Sequence, residues 1–379
     1  MNKNLLIGLA LLGTLLITWV VKPVDATRTN KTTADDWQIE TVDASDCWFP
    51  SLALNSAGQP RISYGALGEL KYAQRSESGW ALELVEDQPG ATGWYSSLAL
   101  DSDTPYISYY SPYSHSLMVA SYIDSSWQIQ PIGDSYDYGG QTSLVLDSSH
   151  LPHIAYWDAA NLTLKYAYYD GVDWHFDAVT AMSSGGQDVS LALTLDAANQ
   201  PHLCYYDYEN NALKYASRDG NGWQFETVDD DVFYNGQNCD VALDAQNSPH
   251  IGYRDLELRY ARRDGGSWQS TVVDDDFFAG DGLSLALDSV GQPHISYTDW
   301  PVPEHEVRYA FLAGGHWWIE TVDTVPSGQS FAQTSLALDA AGRPHIGYWQ
   351  VGGSDTLKYA VRGVAPAINQ VYLPVIVHE

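Results

Sequence analysis

Basic residues are scarce in this chain of 379 residues. Lys and Arg number 18 against 48 Asp and Glu, which gives a formal net charge of −30 at pH 7. A surface this acidic repels phosphate backbones and anionic lipid, so nucleic-acid binding and electrostatic membrane docking are disfavoured. Cysteine is scarcer still: Cys47, Cys204 and Cys239 are present, and no pair has the spacing of a metal site. Their number excludes a disulfide framework and leaves room for at most one disulfide bond.

Long apolar runs are also lacking, with one exception at the N-terminus. Lys3 precedes an uncharged apolar run from Leu5 to Val21, and small residues follow at 24–26. This arrangement is typical of a secretory signal peptide and predicts cleavage after residues 1–26, followed by a polar linker at 27–34 and export of the mature chain. The alternative is an uncleaved membrane anchor, because the run approaches the length of a short span.

A repeated phrase, SLALD…PHISY…LKYA…DG..W..ETVD, occupies most of the chain. Its proline recurs at intervals of 44 to 51 residues, at Pro60, Pro105, Pro152, Pro201, Pro249, Pro293 and Pro344. Each unit carries four short runs of β-type alternation separated by turn residues. Four strands at this period are typical of a propeller blade. The sequence therefore predicts an all-β, seven-bladed β-propeller with four antiparallel strands per blade, over residues 35–363.

The seventh unit lacks its fourth strand. No Trp…Glu-Thr-Val segment follows Ala360, but such a segment stands at the other end of the chain, from Trp37 to Val42. We expect the N-terminal strand to complete blade seven, because this would close the ring and pair an exposed sheet edge. The tail at 364–379 predicts either a further edge strand or an attachment signal.

Successive antiparallel strands reverse direction, so the loops divide between two faces. We call the face that carries the links from fourth strand to next blade and from second to third strand the variable rim. The opposite face, with short and uniform hairpins, is the short-turn face. Variable loops on a rigid scaffold usually carry binding sites, which favours the variable rim.

Residues repeated in every blade predict structural roles. A Trp opens each fourth strand, which we expect to pack between neighbouring blades. A His follows the proline in five blades and an Asp or Asn ends the preceding strand, which predicts a contact that bridges the hairpin. Third strands carry a basic residue in six blades, and second strands end in Asp158, Asp207, Asp255 and Asp299, which predicts cross-strand ion pairs of small stabilising effect.

The turn before the repeated Trp carries a family resemblance. The segments 217–223 and 263–268 combine Asp219 or Asp264 with glycines and an aromatic residue. These turns resemble the Asp-box repeats of sialidase-like (BNR-type) propellers, with one residue fewer between Asp and Trp. The resemblance implies propeller architecture. A sialidase would also need an arginine triad, yet the variable rim holds one singular arginine, Arg254, and no nucleophile-elbow or zinc-protease motif occurs.

Acidic runs form one candidate site on the variable rim. Neighbouring carboxylates are the ligands that Ca²⁺ prefers, so a Ca²⁺ site is one hypothesis, an acid/base pair for glycoside cleavage a second, and a solvated acidic surface a third. The candidate metal ligands are Asp230, Asp231, Asp274, Asp275 and Asp276. Asp240 stands where other blades have serine. No other cofactor is predicted.

Aromatic residues crowd the loops of the variable rim. In addition to the predicted ligand-binding residues named at the end of this paragraph, the loops between blades hold Phe49, Tyr136, Tyr138, Phe233, Tyr234, Phe277, Phe278 and Phe331. Flat aromatic faces beside Asp and Asn suit sugar rings, and they suit protein interfaces equally well. The predicted ligand-binding residues are Trp48, Trp94, Tyr95, Trp157, Asp158, Asp207, Arg254, Asp255, Asp299, Trp300 and Trp349.

The leading hypothesis is a secreted or cell-surface, non-catalytic propeller that binds an extracellular glycan, or a protein, on its variable rim, as a monomer. Two alternatives remain open, since a fold does not choose a function. One is an extracellular glycoside hydrolase or lyase that uses rim carboxylates. The other is a structural or adhesive surface protein.

Overall fold

The computed structural model describes residues 37–87, 93–132, 139–182, 189–232, 238–300 and 304–363. Across these ranges the regular elements are 28 β-strands, and the strands form seven antiparallel sheets of four. The predicted all-β, seven-bladed architecture is confirmed. In the described residues no helix exists that could span a membrane. The predicted signal peptide at 1–26, the linker at 27–34 and the tail at 364–379 lie outside these ranges.

The first four blades follow one another along the chain, each from its innermost to its outermost strand. Blade one comprises β2 (Cys47–Leu54), β3 (Pro60–Ala66), β4 (Glu69–Ser76) and β5 (Gly79–Asp87). Blade two comprises β6 (Trp94–Asp101), β7 (Thr104–Ser111), β8 (Ser116–Ile123) and β9 (Ser126–Ile132). Blade three comprises β10 (Gly139–Leu146), β11 (Pro152–Asp158), β12 (Thr163–Tyr169) and β13 (Trp174–Ala181). Blade four comprises β14 (Leu191–Leu195), β15 (Pro201–Asp207), β16 (Ala212–Asp219) and β17 (Gly222–Asp229).

The remaining blades repeat the pattern, and blade seven takes its outer strand from the N-terminus. Blade five comprises β18 (Cys239–Leu243), β19 (Pro249–Arg254), β20 (Leu258–Asp264) and β21 (Ser267–Asp274). Blade six comprises β22 (Asp281–Leu287), β23 (Pro293–Asp299), β24 (Glu304–Ala313) and β25 (His316–Pro326). Blade seven comprises β26 (Ser330–Leu338), β27 (Pro344–Val351), β28 (Thr356–Arg362) and β1 (Trp37–Asp43). β1 pairs with β28 from Trp37↔Arg362 to Asp43↔Leu357, so the predicted closure is confirmed.

A ring of hydrogen bonds joins the innermost strands around the axis. Each inner strand contacts the next, and β26 contacts β2. In most joints a serine hydroxyl of one blade accepts the backbone N–H of a leucine in the next, as from Leu98 to Ser51 at 2.9 Å. The same bond runs from Leu52 to Ser335, Leu144 to Ser97, Leu193 to Ser143 and Leu336 to Ser284. The repeated serine therefore holds adjacent sheets in register.

One joint departs from this pattern and explains the singular Asp240. Blade four carries Ala192 at the serine position, so the N–H of Val241 has no hydroxyl to reach. The Oδ1 atom of Asp240 accepts that N–H at 2.9 Å, while its Oδ2 atom accepts the N–H of Leu285 at 2.8 Å and the hydroxyl of Ser284 at 3.3 Å. Desolvation raises the pKa of Asp240 to about 6. This carboxyl group replaces two hydroxyls of the ring, which is a structural role.

Asp240 accepts the backbone N–H groups of Val241 and Leu285, and restoring the serines of the repeat should separate these two roles. We expect Asp240→Ser alone to lower the free energy of unfolding by about 1–3 kcal/mol, because the buried N–H of Val241 is left without an acceptor. The double change Ala192→Ser/Asp240→Ser supplies that acceptor and should recover the loss. Chemical denaturation of the three proteins measures both effects. A double variant as unstable as the single one would contradict this role.

The pH dependence of the free energy of unfolding is a second test of the structural role of Asp240. A carboxyl whose pKa is raised in the folded state stabilises the fold below its ordinary pKa and loses that contribution as pH rises through about 6. The double variant lacks this group, so its stability relative to the native chain should increase from acid to neutral pH. A difference that does not change with pH would show that Asp240 is not desolvated.

A second set of inter-blade contacts lies beside the first. Hydroxyl pairs join blades at Ser63–Ser96 (3.0 Å), Ser108–Thr142 (2.9 Å) and Ser296–Thr334 (2.7 Å). At the corresponding joint of blades four and five a disulfide bond joins Cys204 to Cys239 across 6.3 Å between Cα atoms. Cys47 is buried and free. The prediction of at most one disulfide is confirmed.

The repeated tryptophans pack between blades, as predicted. Six of them contact a third-strand tyrosine of the preceding blade edge to face, with ring centroids 5.2–5.6 Å apart. The pairs are Trp37–Tyr309, Trp80–Tyr359, Trp127–Tyr72, Trp223–Tyr166, Trp268–Tyr215 and Trp317–Tyr260. In the seventh joint Trp174 packs against the core of blade two, where Val119 replaces the tyrosine. These side chains build the joints between blades; Trp37 is buried and the other six are partly buried.

The repeated histidines bridge hairpins at the short-turn face. In His345, Nδ1 lies 2.6 Å from the hydroxyl of Tyr359 and Nε2 lies 3.6 Å from Asp339. The other four histidines have the same neighbours, namely His153 with Tyr166 and Asp147, His202 with Tyr215 and Asp196, His250 with Tyr260 and Asp244, and His294 with Tyr309 and Asp288. Burial lowers the pKa of each imidazole. The predicted structural contact is confirmed.

Candidate functional site

An acidic residue near the end of each of five fourth strands reaches the next blade at the variable rim. A second-strand tyrosine donates its hydroxyl to that carboxylate, as from Tyr348 to Asp323 at 2.8 Å and from Tyr64 to Asp43 at 2.9 Å. The same contact joins Tyr109 to Glu86, Tyr253 to Asp229 and Tyr297 to Asp274. These inter-blade contacts are absent from the sequence-based account, because a repeat shows which residues recur but not which blade supplies a partner.

The basic residues of the third strands join these carboxylates. Lys358 contacts Asp323 at 2.8 Å, and Lys71 contacts Asp43 at 3.4 Å. The predicted partner at the end of the second strand is found in blades three, five and six, as Lys165–Asp158 at 2.6 Å, Arg259–Asp255 at 3.8 Å and Arg308–Asp299 at 2.5 Å. In blade four Asp207 instead accepts the N–H groups of its own turn. The side chains of Asp158, Asp299 and Arg308 are at most 5% exposed, so these pairs are not surface pairs.

Blades five and six hold the densest concentration of charge. The guanidinium of Arg308, which is 5% exposed, contacts Asp274 at 2.8 Å and Asp276 at 2.7 Å through Nη1, and Glu306 at 2.5 Å through Nε. We call Asp274, Asp276, Asp299 and Glu306 around Arg308 the acidic cluster. Among the described residues, four carboxyl groups contact the guanidinium of Arg308.

Counting hydrogens identifies the least satisfied carboxyl group of the acidic cluster. The Nη1 atom of Arg308 has two hydrogens, which it donates to Asp274 and Asp276. The Oδ2 atom of Asp299 lies 2.5 Å from Nη1, so it is held by the charge of Arg308 in a buried ion pair without an aligned hydrogen bond. Desolvation, with the nearby charges of Asp274 and Asp276, raises the pKa of Asp299 to about 6. Such a group exchanges a proton near neutral pH.

Exposed aromatic side chains flank the acidic cluster. Trp300 follows Asp299 directly, is 41% exposed and lies against the ring of His305 at 5.1 Å. Phe277 and Phe278 follow Asp276, with 54% and 42% exposure. The backbone of Phe278 has φ 87°, a conformation that bulky residues rarely adopt. The loop thus holds apolar rings in solvent beside charged groups.

A second group of aromatic residues spans blades seven, one and two. Ring centroids lie 5.7 Å apart between Trp349 and Phe49, 4.4 Å between Phe49 and Tyr95, and 6.5 Å between Tyr95 and Trp94. We call these four residues the aromatic arch. Trp94 is its most exposed member, at 39%. The arch gives the variable rim a continuous aromatic strip across three blades.

A strained backbone conformation at Phe49 and Tyr95 places two rings of the aromatic arch. Phe49 and Tyr95 have φ 52° and 54° and lie where β2 and β6 are interrupted by β-bulges. At the same position of blade six stands Gly282, whose φ is 53° and where an added Cβ would overlap the carbonyl oxygen of Ala332. Two large side chains therefore hold a conformation that another blade reserves for glycine. Strain of this kind, held by the surrounding structure, is concentrated at functional sites.

Two of the predicted ligand-binding tryptophans belong to the packing of the blades. Trp157 is fully buried in the core between blades three and four, so its prediction as a ligand-binding residue is wrong. Trp48 lies over Gly65, where an added Cβ would overlap the indole nitrogen. Except for blade six, which has Thr298, the other blades carry a large side chain at the position of Gly65, and Trp48 fills the space that this glycine leaves.

The predicted polar residues differ in accessibility. Asp158 is buried against Lys165 and Asn161, and Asp299 is buried against Arg308, so neither is a surface ligand, and both predictions are corrected. Arg254 is largely buried, contacts Asp281 at 3.4 Å and leaves its Nε without a hydrogen bond. Asp207 is partly exposed in its turn. Asp255 contacts Arg259. The structure does not bring these residues together with Trp94.

The candidate metal ligands are only partly assembled. One oxygen from each of Asp274, Asp275 and Asp276 lies within 4.8 Å of the others. The Oδ2 atom of Asp274 is already engaged by Tyr297 and Arg308, so a guanidinium occupies the place of a cation there. Asp230 and Asp231 are exposed and join no such group among the described residues. A Ca²⁺ site remains a prediction.

Some predicted aromatic residues and part of one loop lie outside the described residues. They are Tyr136, Tyr138, Phe233, Tyr234 and the segment 301–303 of the blade-six loop. Phe331 is described and fully buried between blades six and seven.

Comparison with solved structures gives the same fold. An ulvan lyase, described as a new family of polysaccharide lyase, superposes with TM-score 0.61 at 12% identity over 85% of this chain and 95% of its own. Virginiamycin B lyase from Staphylococcus aureus gives TM-score 0.54 at 10% identity over 86% and 98%. The Aleuria aurantia lectin in complex with Fucα1-6GlcNAc gives TM-score 0.50 at 16% identity over 75% and 98%. No protein-family model and no curated protein matches the chain. Identities this low show the fold alone.

Proposed function

We propose that this protein is an exported, monomeric propeller that binds carbohydrate on its variable rim without cleaving it. The observation that carries the proposal is the exposure of Trp94 and Trp300 on that rim, while the repeated tryptophans are packed between blades. A large aromatic ring in solvent costs free energy unless a ligand covers it. Sugar rings present C–H faces that stack on such rings and hydroxyls that bond to neighbouring carboxylates.

The strained backbone of the aromatic arch supports the same function. Phe49 and Tyr95 cost free energy in the left-handed region, of the order of 1–3 kcal/mol each, and hold their rings at the rim instead of in a blade. Rings fixed before binding lose little conformational entropy when a ligand stacks on them. The arch therefore suits several successive sugar units better than a single one.

Carbohydrate is also the ligand class of two proteins with this fold. The ulvan lyase is named for a polysaccharide, and the Aleuria aurantia lectin is complexed with a fucose-containing disaccharide. Export is supported by the apolar run at Leu5–Val21 and by the Cys204–Cys239 disulfide, since disulfides persist in oxidising compartments. The Asp-box-like turns lie on the short-turn face, where Asp219 accepts the N–H of Asn221, and take no part in the proposed binding.

One observation favours a second candidate, a carbohydrate-cleaving enzyme. Asp299 has a pKa raised to about 6, a value suited to proton transfer near neutral pH, and lies opposite Glu306 in the β23–β24 pair. Asp299→Asn should then abolish turnover while a polysaccharide still binds. The buried position of Asp299 favours the binding function instead, because its oxygen is screened from a substrate.

Removal of the exposed rings tests the proposed function. We expect Trp94→Ala and Trp300→Ala each to weaken glycan binding several-fold, since aromatic stacking contributes about 1 kcal/mol or more per ring. Both side chains lie outside the core, so the melting temperature should hardly change. Trp318→Ala, at a half-buried tryptophan near the short-turn face, is the control. Affinities for immobilised polysaccharides measure the effect, and unchanged binding in both rim variants would contradict stacking.

A further inference from the structure

One exposed leucine stands among the aromatic residues of the variable rim. Leu67 belongs to the two-residue turn, Leu67–Gly68, that joins β3 to β4 in blade one, and it is 62% exposed. The other large apolar side chains that the structure describes as exposed on this rim are all aromatic, namely Trp94, Tyr113, Phe277, Phe278 and Trp300. Leu67 is therefore the one exposed aliphatic side chain of this size among the described residues of the rim.

The backbone conformation of Leu67 is unfavourable for leucine. Leu67 has φ 52° and Gly68 has φ 87°, as in the type I′ turns that join antiparallel strands. Such turns favour Asn, Asp or Gly at their central positions, since most side chains are strained where φ is positive. Leucine thus combines backbone strain with apolar surface in solvent at a position where asparagine would avoid both. Strain that the turn itself does not require points to a role in binding.

Packing between blades one and two brings this turn next to the aromatic arch. Gly93 fits so tightly against the β3–β4 hairpin that an added Cβ would lie 3.0 Å from the Cα atom of Gly65 and 3.3 Å from the carbonyl oxygen of Glu69. Trp94, the most exposed member of the arch, is the next residue along the chain. Its backbone therefore leaves the joint beside the hairpin that carries Leu67, so an exposed indole and an exposed aliphatic side chain share this part of the rim.

These two side chains select one class of sugar. The inference rests on the proposed function, in which the indole of Trp94 stacks on the C–H face of a hexose. Leu67 has no hydrogen-bonding group, so a hydroxymethyl group that covered it would lose its hydrogen bonds to water without replacement. A methyl group on the same ring carbon would bury apolar surface instead. We propose that the joint between blades one and two binds a 6-deoxyhexose, with the sugar ring on Trp94 and the C6 methyl group against Leu67.

Two pairs of methyl glycosides test this preference. Methyl α-L-fucoside and methyl α-L-galactoside differ only in the group at C6, as do methyl α-L-rhamnoside and methyl α-L-mannoside. In calorimetric titration of the purified protein, we expect the 6-deoxy member of at least one pair to bind at least about fourfold more tightly than its counterpart, because one buried methyl group contributes that much. Trp94→Ala should weaken the binding of both members of that pair.

Leu67→Asn separates recognition from stability. Asparagine suits the positive φ of this turn, so the melting temperature should be unchanged or higher, whereas the preference for the 6-deoxy sugar should disappear. The matched control is Val172→Asn, which replaces a valine that is 77% exposed on the short-turn face and should keep the preference.

The outcomes distinguish the inference from the proposed function. Equal affinities within both pairs, a preference that survives Leu67→Asn, or a lower melting temperature of that variant would overturn the inference while glycan binding stands. Binding of immobilised polysaccharides without binding of any of the four glycosides would overturn it in the same way. Failure of the glycosides and the polysaccharides alike to bind would overturn the proposed function with it.

Discussion

A chain that begins at residue 44 should be destabilised by more than about 5 kcal/mol relative to one that begins at residue 35, or should fail to fold. The shorter chain lacks β1, which pairs along β28 and is the outermost strand of blade seven. It also lacks Trp37, which packs against Tyr309, Phe331 and Tyr348 in the core between blades six and seven. Loss of a buried tryptophan alone costs about 3–5 kcal/mol.

Thermal unfolding of the two chains, followed by tryptophan fluorescence, measures this effect. Trp37→Ala in the longer chain is the intermediate case and should lose the side-chain contribution while keeping the strand. The ion pair between Glu40 and Arg75 of blade one, at 2.6 Å, is also lost with β1, so blade one should loosen together with blade seven. Identical melting temperatures for the two chains would disprove closure by the N-terminal strand.

Removal of the central cation of the acidic cluster should have the largest effect of any single substitution at the rim. We expect Arg308→Gln to lower the free energy of unfolding by about 3–5 kcal/mol at neutral pH, because breaking a buried ion pair leaves its carboxylates uncompensated. Asp274 and Asp299 are both 1% exposed, so water cannot replace the guanidinium in stabilising their negative charge. The control is Arg262→Gln, whose pair with Asp264 at 3.8 Å is exposed and should contribute at most about 1 kcal/mol.

The pH dependence of the Arg308 variant identifies the cause. Burial already raises the pKa of Asp299 to about 6, and loss of the guanidinium raises it further. A carboxyl group with a raised pKa in the folded state destabilises the fold as pH increases, so the deficit of Arg308→Gln should be largest at neutral pH and should shrink in acid. Denaturant unfolding at several pH values measures it, and a deficit that is constant with pH would attribute the loss to packing alone.

The sequence was sufficient to predict the architecture because each copy of the repeat corresponds to one four-stranded blade. The spacing of the prolines predicted the number of blades, and the displaced Trp37 segment predicted how the ring closes. The tryptophan and histidine positions could be assigned to structure because an identical residue in most blades meets an identical environment. The roles of residues found once were harder to predict. The role of Asp240, for example, depends on Ala192 in another blade.

The site was predicted less completely, for reasons of local geometry. Trp157 and Trp300 both occur near the end of a second strand. Trp157 precedes Asp158, the last residue of β11, and is buried between blades, whereas Trp300 follows Asp299, the last residue of β23, and is exposed. Periodicity along one strand does not show which residues near its end are covered by the next blade. Likewise the contact of Tyr297 with Asp274 joins two blades, and pairing within one hairpin could not anticipate it.

The most direct test of the account is a crystal structure with the tightest-binding oligosaccharide. We expect an intact sugar chain on the variable rim, with one ring stacked on Trp300 or Trp94. An alternative location is the polar crevice between blades five and six on the short-turn face, bordered by Asp244, Arg262 and Asp288. A sugar seated in that crevice, or one cleaved beside Asp299, would contradict non-catalytic binding at the variable rim.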